Sequence, residues 1–369
     1  MYLKNISIKN FKNLDCHIEF SDKINLIIAP NGSGKTNLLE TIYLLGHGSS
    51  FRNYPEVNLI NFQNNFAKIN GETDSNKLEI LISRFGENSQ KYLKINEKIR
   101  KNSTFTKYLN SILFSPNTID LVDGTPDIRR KDLDDFISTF DIVYSKKIGI
   151  YKKVIKNRNK ILLKLKNSMG SLEELDFWND KLITLGGQLV SSRLTFLSSI
   201  RKYLDTTAKM LLEKKESTLK INYYSKIIYD DKEPSKALKK KILSNLDKEI
   251  MAEASLYGPH RDDIEFIIDE KNLKLTGSRA QQRLAVLIYK IASWKYLENI
   301  LQIRPLFLLD DVMSELDNIH RHNLENYLLH KLHTQVLITS SEKTIFSKNF
   351  IDRTNLIELN KINKKYSYT

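Results

Sequence analysis

The spacing of apolar residues changes character along the chain. Residues 2–28 contain three short apolar runs, Tyr2–Ile8, Cys16–Phe20 and Ile24–Ile28. The first alternates with period two, the pattern of a half-buried strand, and the third is apolar enough to predict a buried one. Apolar residues then recur at helical spacing at Leu38, Ile42 and Leu45. Residues 66–99 alternate again, with turn signals at Asn70-Gly71 and Phe85-Gly86-Glu87-Asn88, which predicts a meander of antiparallel strands. A further short apolar run, Asn110–Ser115, stops at Pro116.

Beyond residue 146 the period becomes helical. Ile148, Tyr151, Ile155, Leu162, Leu165 and Met169 form one stripe, and Trp178, Leu182, Leu185, Leu189 and Phe196 form a second. Ser171-Leu172-Glu173-Glu174 reads as a capping box that opens the second helix, and Gly186-Gly187 is placed to bend it. Strand is expected again over 219–230, a polar break over 231–235, and helix over 236–253. Nothing repeats at a solenoid period. The glycine-rich, acid-tipped texture of the beginning returns near Tyr257. The pattern therefore predicts an α/β head built from both ends of the chain, residues 1–118 with 250–369, and a mainly helical lobe, 119–249, inserted between them.

Between the apolar run at Ile24–Ile28 and the helical stripe lies Ala29-Pro30-Asn31-Gly32-Ser33-Gly34-Lys35-Thr36. Strand, glycine turn and helix in this order are the setting of a phosphate-binding loop. Gly32 and Gly34 let backbone N–H groups turn inward toward phosphate oxygens, and the helix N-terminus adds the positive end of its dipole. Lys35 is the candidate for the β- and γ-phosphates, and the Thr36 hydroxyl the candidate Mg²⁺ ligand. Ala29 occupies the position where G-x-x-x-x-G-K-[ST] has its first glycine.

A second apolar run, Leu306-Phe307-Leu308-Leu309, ends in Asp310-Asp311. A buried strand tipped with carboxylates is the Walker B arrangement. Asp310 is the candidate metal-side residue, and Asp311 the candidate base that orients or deprotonates the attacking water. Thr276-Gly277-Ser278 opens another helix, so Ser278 is either a second anion site or a plain N-cap. Two half-sites on one chain suit a head-to-tail pair of subunits.

Composition adds a partner class. The 369 residues carry a net charge of +14, and 41% of them are hydrophobic, enough for a sizeable core. Residues 146–220 concentrate the basic excess, with 17 Lys or Arg against 7 Asp or Glu. This favours a polyanionic partner such as nucleic acid or an anionic membrane surface, and Lys152, Lys153, Lys156 and Arg158 are the candidate contacts to DNA. No stretch of eighteen apolar residues predicts a membrane span. Cys16 is the only cysteine, and no signal-peptide pattern precedes it, so a cytoplasmic location is expected. His320, His322, His330 and His333 share one predicted helix with no cysteine or carboxylate cluster, which argues against a metal site there.

The order of phosphate loop, serine turn, acidic strand end and Ser314-Glu315-Leu316-Asp317 resembles the ABC/SMC class of ATPase heads. More closely, the chain is similar to the RecF family of bacterial DNA replication and repair proteins over residues 1–345. The resemblance rests on Asn31–Glu40, Ser50-Phe51-Arg52, Leu113–Pro116, Leu121–Pro126 with Arg129-Arg130, Arg158-Asn159, Trp178–Leu182, Gly258–Asp263 and Leu309–Asp317. It implies an ABC/SMC-type P-loop head with a mixed sheet and an antiparallel β subdomain. It also implies weak DNA-stimulated ATP hydrolysis and an ATP-dependent homodimer on double-stranded or gapped DNA. RecR- and RecO-like mediators are the implied partners, and Ser278, Gln281 and Asp317 join the nucleotide site. Arg279 and Ala280 depart from the family's Ser-Gln-Gly-Gln. Arg52, His260 and Arg261 are left between nucleotide, DNA and structural roles. A membrane transporter's ATPase subunit and an SMC- or Rad50-like structural protein are the alternative readings. The basic insertion and the lack of a histidine after Val336-Leu337-Ile338 argue against the first, and the chain length against the second.

Overall fold

The computed structural model describes residues 2–52, 54–212, 218–229 and 233–359. The strands are β1 (Leu3–Phe11), β2 (Leu14–Glu19), β3 (Ile24–Ile28), β4 (Phe66–Thr73), β5 (Lys77–Phe85), β6 (Asn88–Ile95), β7 (Lys98–Ile99) and β8 (Ser111–Phe114). They continue with β9 (Leu219–Tyr224), β10 (Asp263–Ile268), β11 (Lys271–Asn272), β12 (Leu306–Asp310), β13 (Val336–Ser340) and β14 (Asn355–Glu358). Two compact units share them. The first comprises residues 1–118, 209–215 and 287–369, the second 119–208 and 216–286. The division expected from the sequence differs over 209–215 and over 250–286, the latter because β10 pairs with β9 along its whole length and not with any strand of the first unit.

In the first unit an antiparallel sheet runs β2-β1-β4-β5-β6-β7 and a parallel sheet runs β14-β3-β13-β12-β8. β1 extends further than the alternation predicts, because Asn10 and Lys12 adopt positive φ and close a tight hairpin onto β2. The turn expected at Asn70-Gly71 is instead strand: both lie within β4, and the chain reverses after Thr73. Gly71 is there for clearance. A Cβ at this position would stand 2.7 Å from a methyl of Leu45 on α1 (Lys35–His47). The helix therefore packs against the sheet where the side chain is missing, and it buries Leu38, Leu39, Ile42, Leu44 and Leu45 completely.

The second unit is helical with a small antiparallel sheet, β11-β10-β9. Its long helices are Ile142–Lys166 and Leu172–Leu211, the latter up to residue 208. Ser171 accepts the Glu174 N–H, the main half of the expected capping box. The second helix does not break at Gly186-Gly187. The pair instead admits the Pro234–Leu243 helix, whose Ser235 and Leu238 come too close for a side chain at either position. The helix expected over 236–253 is two, Pro234–Leu243 and Leu246–Ala252. Of the polar break expected at 231–235, residues 231 and 232 lie outside the described residues. No described helix is long and apolar enough to cross a membrane.

Candidate nucleotide site

The phosphate loop follows β3 directly. Gly32 and Gly34 have φ of +79° and +101°, and Gly34 caps α1. A side chain at Gly34 would also meet Leu14 at 2.8 Å, so both the turn and its packing on the β1–β2 hairpin require glycine. Lys35 begins α1, and its Nζ donates to the Ala29 and Pro30 carbonyls at 2.6 and 3.0 Å. Burial pushes this ammonium below the ordinary lysine value, against the pull of Asp311 and Asp310. A cation held over the loop by its own carbonyls is ready to trade them for phosphate oxygens.

The parallel sheet brings the second half of the site to the same edge. β13 lies between β3 and β12, so the carboxyl ends of all three strands meet. Asp310, at the end of β12, accepts the Thr36 hydroxyl at 3.2 Å and the Thr339 hydroxyl at 2.8 Å. Burial raises its carboxyl above the ordinary aspartate range, opposed by these two hydrogen bonds. Asp311 follows with φ of +50°, and its backbone N–H donates to the same Thr339 hydroxyl at 3.0 Å.

Two polar atoms here are buried without a hydrogen-bond partner, Ser33 Oγ and Asp311 Oδ1. Orphaned polar atoms in a native site call for an explanation, and an anionic ligand with its metal and water supplies one. Thr36 and Asp310 present two hard oxygens side by side, a donor set that suits Mg²⁺ completed by phosphate and water. The residues present therefore fit both groups.

Beside the loop, Glu40 of α1 is fully buried. Its carboxylate accepts Lys12 at 2.6 Å and Ser50 at 2.5 Å, with the Arg52 guanidinium 3.8 Å away. Arg52 also donates to Asn37, which donates to Asn13. The arginine is thus tied to the first turns of α1 and contributes positive potential at Asp310.

Other expected site residues are held by local contacts. Ser278 and Gln281 belong to the second unit. They satisfy one another: the Ser278 hydroxyl accepts the Gln281 backbone N–H and the Gln281 side-chain Oε1 accepts the Ser278 backbone N–H, a capping box. Asp317 caps the Asn318–His330 helix through the His320 N–H, which holds its exposed carboxylate below the usual range. His260 bonds Tyr151 and the Ser255 carbonyl, and burial pushes it down to about 4, so it is a neutral internal brace. Arg261 donates to that same carbonyl.

The DNA candidates divide. Lys152, Lys153 and Lys156 are exposed on the Ile142–Lys166 helix. Arg158 contradicts the expectation: it is 0% exposed and ion-paired at 2.6 Å to Glu249, which is equally buried. It also donates to Asn179 and Ser255, so no part of its guanidinium reaches a DNA backbone. It stands four residues beyond Val154 and seven beyond Tyr151, both buried, and so points inward. Thr339 is the site residue that sequence reasoning missed. Only the strand order places it beside Asp310.

The sequence matches the RecF/RecN/SMC N terminal domain over residues 2–366. A DNA replication and repair protein RecF from Ligilactobacillus salivarius is 33% identical, covering 100% of this chain and 99% of that one. A solved structure of the recombination mediator protein RecF with ATP superposes with a TM-score of 0.81, at 29% identity and covering 94% of this chain and 93% of its own. An Smc head from Pyrococcus furiosus shares the fold alone, with a TM-score of 0.55 at 15% identity over 93% of this chain and 90% of that one. The chain belongs to the RecF/RecN/SMC N-terminal domain family, among its RecF DNA replication and repair proteins.

Proposed function

We propose that the chain is an ATP-dependent DNA-binding protein of recombinational repair and replication restart, with ATP closing a homodimer on gapped or junction duplex and slow hydrolysis releasing it. The observation that carries this reading is the meeting of Lys35, Thr36, Asp310 and Asp311 at one sheet edge, with Asp311 Oδ1 and the neighbouring Ser33 Oγ buried without a hydrogen-bond partner. The loop N–H groups and Lys35 bind phosphate, Thr36 and Asp310 hold Mg²⁺, and Asp311 orients or deprotonates water. Mg²⁺, when bound, offsets the charge that develops on the transferred phosphoryl group. In the dimer, Ser278 and Gln281 of each copy face the other copy's nucleotide, with Asp317 nearby. The solved relative is a recombination mediator of the RecFOR pathway, which supports RecR- and RecO-like partners, and the reading implies action in the cytoplasm.

Lys35→Met tests it. A hydrogen bond to a charged group contributes about 1.5–3 kcal/mol, so nucleotide affinity falls by roughly 10–100-fold. Equilibrium binding of a fluorescent ATP analogue reads this, and undiminished affinity in the variant refutes the phosphate-loop assignment.

DNA binding makes a separate prediction. No base-reading module is found among the described residues, so the contacts fall on phosphates and the affinity is salt-dependent and largely indifferent to sequence. Changing Lys152, Lys153 and Lys156 together to Glu lowers affinity for gapped duplex. It also flattens the plot of log affinity against log salt by roughly 0.9 for each lysine that touches a phosphate. An unchanged slope removes this helix from the DNA surface.

A further inference from the structure

We propose that Thr339 is a positioning residue that fixes the metal-side and hydrolytic carboxylates relative to one another, an inference that rests on the ATPase reading above. β13 is the strand between the phosphate-loop strand and the acid-tipped strand, and its register sets Thr339 opposite both Ile27 and Asp310. The side chain is fully buried. Its single hydroxyl proton goes to Asp310 Oδ1 at 2.8 Å, and its lone pair accepts the Asp311 N–H at 3.0 Å. One rotamer serves both bonds, and a β-branched residue in a strand has little freedom to leave it. The second bond pins Asp311 at a positive φ, a conformation that non-glycine residues seldom hold without support. The first acts on the same oxygen that Thr36 contacts. Thr36 can therefore turn its oxygen toward a metal while Thr339 still holds Asp310.

Three full-length proteins decide the matter: the parent, Thr339→Val, which keeps the shape and loses both hydrogen bonds, and Thr339→Ser, which keeps the hydroxyl. ATP turnover and equilibrium binding of a fluorescent ATP analogue, with magnesium and with EDTA, are measured on each. Loss of a side chain that orients a metal ligand typically costs about 10–100-fold in metal affinity or activity. Valine is expected to reduce turnover by that factor and to lose a similar factor of magnesium-dependent affinity. Affinity in EDTA stays at the parent's value, and serine recovers both losses. Should valine fail to melt cooperatively, Thr339→Ala carries the same comparison. Unchanged turnover and magnesium dependence overturn the proposal. So does equal loss of affinity with and without magnesium, which marks general damage, and so does a serine variant as impaired as valine. A parent that neither binds nor hydrolyses ATP overturns the ATPase reading and this inference together.

Discussion

Asp311→Asn is expected to bind ATP and to hydrolyse it about 10²–10⁴-fold more slowly, the usual cost of removing a general base. Asparagine keeps the size of the side chain, tolerates positive φ and retains the N–H that bonds Thr339, so the strand end is preserved. What is lost is a carboxylate whose Oδ1 is buried with no protein partner, an acceptor left unused by the protein. Because Lys35, Thr36 and Asp310 are untouched, nucleotide affinity stays within a few-fold of the parent. If ATP drives dimerisation, the variant accumulates as the ATP-bound dimer. Steady-state phosphate release with sedimentation in ATP measures both. Normal turnover would show that a different group positions the water.

The second large effect is on stability. Arg158→Met is expected to destabilise the protein by about 3–5 kcal/mol, because it strands a buried charge. Glu249 accepts the guanidinium at 2.6 Å with both side chains fully buried. Without the arginine, its remaining bond is from the Leu256 N–H at 2.7 Å. The same guanidinium ties Asn179 on the Leu172–Leu211 helix to Ser255 in the loop after the Leu246–Ala252 helix. Replacing both partners removes the stranded charge, so Arg158→Met with Glu249→Met recovers most of the loss. Urea unfolding of the two single variants and the double variant completes the cycle. A single variant as stable as the parent would refute the account of Arg158 as an internal pin.

The contiguous part of the site was legible. Strand, loop and helix at 24–47 are one uninterrupted piece, and apolar period and glycine spacing report it fully. The acids ending β12 were legible for the same reason. Thr339 was not, because its role depends on β13 lying between β3 and β12, and no local pattern encodes strand order. Arg158 was misread by charge alone. Its place on an apolar helical stripe was visible, whereas Glu249, its partner 91 residues away, was not. Gly71 followed a turn signal that lost to packing, since clearance for Leu45 decides what that position holds. The Ser278–Gln281 spacing was itself a capping box, a local signal overshadowed by the anion-site reading.

The order of the parallel sheet also governs when the site can exist during synthesis. β3 pairs on one side with β13 and on the other with β14, so both its neighbours are made some three hundred residues after it. At about 5–20 residues per second, the ribosome delivers them roughly 15–60 s later. Through that interval the apolar β3 has neither edge covered, the condition under which strands are prone to pair wrongly. Every residue of the second unit has emerged by then, since it ends at 286. The nascent protein thus carries its phosphate-loop sequence almost from the start and acquires a phosphate-binding loop almost last.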